Sequence, residues 1–148
     1  MFIIFNKKKV EKIAIASSNA IAVFDFYSQR LNSNWVSIND FKLDPFVVGV
    51  LCGLSEFFIK MELGENAGGS EIIKTFERSY KNIFKYEKKE NIAKAVLLNF
   101  NEPKTIDSRA QVLKEMYEMM TLNKSFESSH KIPLFMDRAI QIEAIRRF

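Results

Sequence analysis

Apolar residues recur along most of the chain at the spacing of one helix face. From about Val10 to Leu31, the residues Val10, Ile13, Ser17, Ala20, Ile21, Phe24, Tyr27 and Leu31 form such a face. Ala14, Ile15, Ala16, Ala22, Val23 and Phe26 broaden it, so the pattern predicts a long helix buried on more than one side. The following NSNWVSINDFKLD has no sustained period and reads as a connection, with Trp35, Ile38 and Phe41 available to pin it to a core. Asp44 followed by Pro45 is a helix start, a capping side chain and then a first-turn proline. The helix it opens runs through PFVVGVLCGLSEFFI to about Leu63, where Gly64 suits a left-handed stop.

GENAGGS is the clearest break in the chain, and Ser70 is placed to cap a helix carrying Ile72, Ile73, Phe76, Tyr80, Ile83 and Phe84 on one stripe. A further helix is expected over about 88–100, ended at Pro103. Thr105 or Asp107 can cap the next, with Val112, Leu113, Met116, Tyr117 and Met120 on its apolar side. Pro133 can open a last helix bearing Phe135, Ala139, Ile142 and Ile145. The strand signal is confined to Phe2 to Phe5, which suits a short strand. The expected fold is therefore all-α: one domain over residues 1–148, a bundle of five or six helices around a central apolar helix at about 45–63. Residues 1–9 form a short apolar and basic N-terminal segment.

Composition supports a single packed core rather than a disordered or stapled chain. The 148 residues are 47% hydrophobic and 27% charged, and they include 14 Phe, each able to bury a large area. Cys52 is the one cysteine, so no intramolecular disulfide can form, and its place in the apolar run makes it an inert buried thiol. Lys7, Lys8 and Lys9 follow the first apolar stretch instead of preceding it, the wrong order for a secretory signal. The uncharged run from Phe46 ends at Glu56, well short of the roughly 20 residues of a membrane span. A soluble cytoplasmic protein without a transmembrane segment is the expectation.

Several chemistries are excluded by the residue inventory. A zinc site of the Cys and His kind needs about four ligands, and the chain has one His and one Cys. Glu62 with Glu65, or Glu115 with Glu118, places two carboxylates on one helix side, a spacing ordinary for solvated faces. His130 titrates nearest neutrality but sits in SFESSHKIP, which reads as an exposed loop. Gly64, Gly69 and Ser70 imitate the spacing of a phosphate loop, yet the lysine is missing and a helix, not a strand, precedes them. What survives is a set of backbone N–H groups at a helix start, opposed by Glu65 and Glu71. No catalytic residue, metal or cofactor is assigned.

Charge and small residues supply the remaining candidates. Residues 71 to 94 hold seven Lys or Arg against four Glu, and Lys74, Arg78, Lys81 and Lys85 fall along one side of the helix there. That stripe is a candidate for nucleic acid or another anion, although Glu71 with Lys74 and Glu77 with Lys81 can pair within the helix. Gly49 and Gly53, four apart, let another backbone approach closely, and each costs about 1 kcal/mol relative to Ala in a helix interior. The alanines of the first helix are the expected partner within the chain, and a homodimer seam is the alternative. The leading functional expectation is a non-enzymatic helical protein–protein interaction or regulatory module, self-association included. A nucleic-acid-associated protein using the basic stripe is the second. The third is an enzyme with a carboxylate site between helices.

Overall fold

The computed structural model describes residues 2–28, 44–84 and 101–122, and these are almost wholly helical. They form α1 (Phe2–Ser28), α2 (Pro45–Leu63), α3 (Gly69–Phe84) and α4 (Pro103–Leu122), with one 3-10 turn at Gly64–Asn66 between α2 and α3. The expected all-α bundle is present. Its four helices are fewer than the five or six anticipated, because the segments at about 88–100 and beyond Pro133 lie outside the described residues, as does His130.

α2 is the hub, packing against each of the other three helices and most extensively against α4. Every residue from Val47 to Phe57 is buried, so the first three turns of α2 are covered all round. The start of this helix is as the sequence indicates. Asp44 Oδ1 accepts from the backbone N–H of Phe46 at 3.0 Å and of Val47 at 3.3 Å, with Pro45 at the first helical position. The helix stops at Gly64, whose φ of 59° is left-handed and costs little without a Cβ.

α1 and α3 run in the same direction. Three contacts advance together along them: Lys9 with Glu71, Ser17 with Ser79, and the Phe24 ring against Phe84 with centroids 6.3 Å apart. α2 and α4 are likewise parallel, through Pro45 with Thr105, Phe46 with Ser108 and Phe57 with Tyr117. The main core gathers Ala20, Phe24, Val47, Leu51, Leu54, Phe76, Tyr80, Phe84 and Val112, among others. Each large side chain buried there contributes on the order of 2 kcal/mol of transfer free energy.

The structure corrects four local expectations. Phe2 to Phe5 is the first turn of α1, not a strand; a short apolar run carries no period of its own, and here it continues the helix that follows. α1 is buried along one stripe, Ile13, Ala16, Ser17, Ala20, Val23 and Phe24, while Val10 and Ile15 are exposed. α3 begins at Gly69, one residue before Ser70, and its start is capped by Glu71, which accepts the Gly68 N–H at 3.1 Å, one half of a capping box. Pro103 opens α4, so Thr105 and Asp107 sit inside α4 instead of capping it; the helix expected before it lies outside the described residues.

Candidate functional site

The glycine pair faces α4, not the alanines of α1. A Cβ on Gly49 would overlap Ser108 Oγ and the Thr105 carbonyl oxygen, and one on Gly53 would come within 2.9 Å of the Arg109 carbonyl and 3.1 Å of Val112. The reason is visible on α4, where Thr105 and Ser108 present small hydroxyl side chains one turn apart. These hydroxyls donate across the seam to the carbonyls of Pro45 and Phe46, each at 2.9 Å. Close approach thus gives polar side chains a backbone acceptor while keeping them buried, at no cost in unpaired groups. The sequence showed that Gly49 and Gly53 want a near neighbour; it held no signal that the neighbour was α4.

One turn beyond the glycines on the same seam lies Glu56, a carboxylate of which only 5% is exposed. Its Oε1 accepts from Lys60 Nζ at 2.9 Å, and its Oε2 accepts from Arg109 Nε at 2.7 Å and pairs with Arg109 Nη2 at 2.6 Å. Burial pushes this carboxyl up, but the hydrogen bonds and charges of Lys60 and Arg109 together outweigh it and hold it below the usual glutamate value. Glu56 is therefore a fixed anion that ties α2 to α4, with no proton to give at neutral pH. The one signal in the sequence that marks it is its place as the charge that closes the apolar run.

Beside this ion cluster a solvent-open cleft of about 320 Å³ lies between α2, α3 and α4. Cys52 and Arg109 line it from the seam, Ile72 and Ile73 from α3, and Thr105 and Ile106 from α4. Burial pushes the Cys52 thiol up to about 11, against a partial opposing pull from Arg109. The floor of the cleft is thus neutral and the sulfur unreactive, as its place in the apolar run suggested.

The basic stripe has a freer disposition than the sequence implied. Lys74, Arg78 and Lys81 are exposed on α3, and Lys85 lies outside the described residues. Glu71 does not pair with Lys74: it is 3.0 Å from Lys9 of α1, whose ammonium draws the Glu71 carboxyl below its usual value. Among the described residues no ion pair within 4 Å joins Lys74, Arg78 or Lys81 to a carboxylate, Glu77 included. The anion position at the start of α3 is filled by the chain's own Glu71 through the Gly68 N–H.

Among the described residues no three His, Cys, Asp or Glu side chains gather as a metal site would require. No described helix is long and apolar enough to cross a membrane. No family model, curated protein or solved structure matches the chain.

Proposed function

We propose that the chain is a non-enzymatic helical interaction module, and that it self-associates through the C-terminal ends of α2 and α4. The observation that carries this reading is an exposed apolar face. Met61, Tyr117 and Met120 are 56%, 41% and 51% exposed. Tyr117 packs edge-on against Phe57 at 5.3 Å between ring centroids, Met61 follows Phe57 by one turn on α2, and Met120 follows Tyr117 on the parallel α4. A flexible, polarizable thioether face beside an aromatic ring can adapt its shape to a partner surface. It is a residue choice favoured at interfaces, where Met and Tyr are enriched.

The test is solution mass by light scattering over a concentration series, for the wild type and for a Met61→Glu, Met120→Glu variant. Both substitutions are at exposed helical positions, so the far-ultraviolet dichroism should stay that of the wild type. A dimer that becomes a folded monomer in the variant supports the reading. A wild type that is monomeric at every concentration overturns it.

Lys74, Arg78 and Lys81, exposed and joined to no carboxylate among the described residues, favour a second reading, binding of nucleic acid along the outer side of α3. Three phosphate contacts would give a plot of log affinity against log salt with a slope of roughly −3. Fluorescence anisotropy with a labelled oligonucleotide measures it, and replacing the three residues by Gln should remove both the binding and its salt dependence. Binding that is absent at low salt, or that survives the replacement, discards this reading.

A further inference from the structure

The cleft between α2, α3 and α4 lies apart from the Met61 face and has a chemistry of its own. Its volume of about 320 Å³ has room for roughly ten groups the size of a water molecule. Its walls are mainly aliphatic, Ile72 and Ile73 on one side and Ile106 on the other, with Thr105 and Asn101 adding polar groups on the α4 side; Ile73 is 39% and Ile106 51% exposed. The Cys52 thiol on its floor is neutral, which adds to the apolar lining.

Arg109 is the one charged side chain among the described residues that line this space. Its Nε and Nη2 are directed at a single oxygen of Glu56, and among the described residues its remaining N–H groups meet no acceptor. Glu56 is also shared with Lys60, so two cations stand against one carboxylate and the cluster keeps a positive charge. A guanidinium with an open donor edge at the end of an aliphatic trough complements a molecule with one negative charge and a short hydrocarbon body. A carboxylate matches the fork of Arg109 with two parallel hydrogen bonds. A doubly charged phosphate would bring more negative charge than the cluster offsets, and a neutral ligand would forgo the charge-assisted hydrogen bonds that Arg109 offers.

We infer that the cleft is a binding site for a small amphipathic carboxylate, its chain lying against Ile72, Ile73 and Ile106 and its carboxylate paired with Arg109. The site differs from the association face, and the two stand or fall separately.

The experiment is a calorimetric titration of the full chain with octanoate, which has ten heavy atoms, kept below its micelle concentration, and in parallel with 1-octanol. Octanoate should saturate at one per chain and bind at least tenfold more tightly than the alcohol. Ile106→Asp alters an exposed wall residue and puts a negative charge in the trough, so it should weaken octanoate at least tenfold with the fold intact. Arg109→Met should bring octanoate and octanol to equal affinity; if that variant fails to fold, Ile106→Asp decides. The Met61→Glu, Met120→Glu variant should bind octanoate as the wild type does. The site is refuted by the absence of saturable octanoate binding, by equal affinity for acid and alcohol in the wild type, or by binding that Ile106→Asp leaves unchanged.

Discussion

Ser108 Oγ stands where a side chain on Gly49 would have to be, and from there it donates to the Phe46 carbonyl at 2.9 Å. The absence of a Cβ on α2 and the presence of a hydroxyl on α4 are one feature seen from two helices. Gly49→Ala should therefore destabilise the fold, and the serine is only half of the obstacle. The Thr105 carbonyl also lies within overlap distance of the new methyl, and a backbone atom cannot rotate away. Overpacking of this kind costs about 3 kcal/mol, offset by about 1 kcal/mol of better helix propensity. A net loss of about 2 kcal/mol in urea unfolding is expected for Gly49→Ala, and a smaller one for Gly53→Ala, whose nearest contacts begin at 2.9 Å. Ser108→Gly placed on top of Gly49→Ala should restore part of the loss but not all of it.

Acid should weaken the bundle through its paired carboxylates. Glu56 and Glu71 are both held below the ordinary glutamate value in the folded chain. Their contribution is thus complete above the unfolded carboxyl range and is lost as pH falls through the lower, folded values. Asp25, whose carboxyl is pushed up by burial, works in the opposite direction. Glu56 dominates because it is buried and doubly paired, so Glu56→Gln should cost about 2 kcal/mol at pH 7 and flatten the acid limb of stability against pH. A variant that keeps the wild-type limb would show that Glu56 does not set it.

Cys52 should resist alkylation while the chain is folded. With its thiol pushed up to about 11, the thiolate fraction at pH 8 is on the order of one in a thousand, and the sulfur is 5% exposed besides. Iodoacetamide should label it more than about a hundredfold more slowly in buffer than in denaturant. Mass spectrometry of the quenched reaction reads the ratio directly, and comparable rates would show that the thiol is open.

Asp44→Ala tests the start of the central helix. The two N–H groups of Phe46 and Val47 lose their side-chain acceptor, and a loss of about 1 kcal/mol is expected in thermal or urea unfolding. Asp44→Ser, which retains an acceptor oxygen, should recover most of it.

How far the sequence could be read depended on whether the deciding interaction was local. Asp44, Pro45 and Gly64 act on their own helix, and the bounds they imply for α2 are the observed ones. Pro103 illustrates the limit: a proline ring both discourages a preceding helix from continuing and suits the first position of a new one, and the N–H of Ile106 bonding to the Glu102 carbonyl shows the second role. At Glu71 a local pairing with Lys74 was the plausible one, yet Lys9, 62 residues away, takes the carboxylate. The cleft was not legible at all, because Cys52, Ile73, Ile106 and Arg109 share no period and come together only when three helices pack.

The parallel order of the two helix pairs has a kinetic consequence. Lys9 with Glu71, Ser17 with Ser79 and Phe46 with Ser108 are each 62 residues apart, and Pro45 with Thr105 is 60 apart. None of these joints can form inside a helical hairpin of neighbours. The chain must close long loops before α2 gains the partner that covers its glycines, and joints this far apart in sequence raise contact order and slow folding. During synthesis, α2 emerges with its bare glycine face and apolar girth well before α4 exists to cover them, and in that interval it offers a surface that a chaperone would hold.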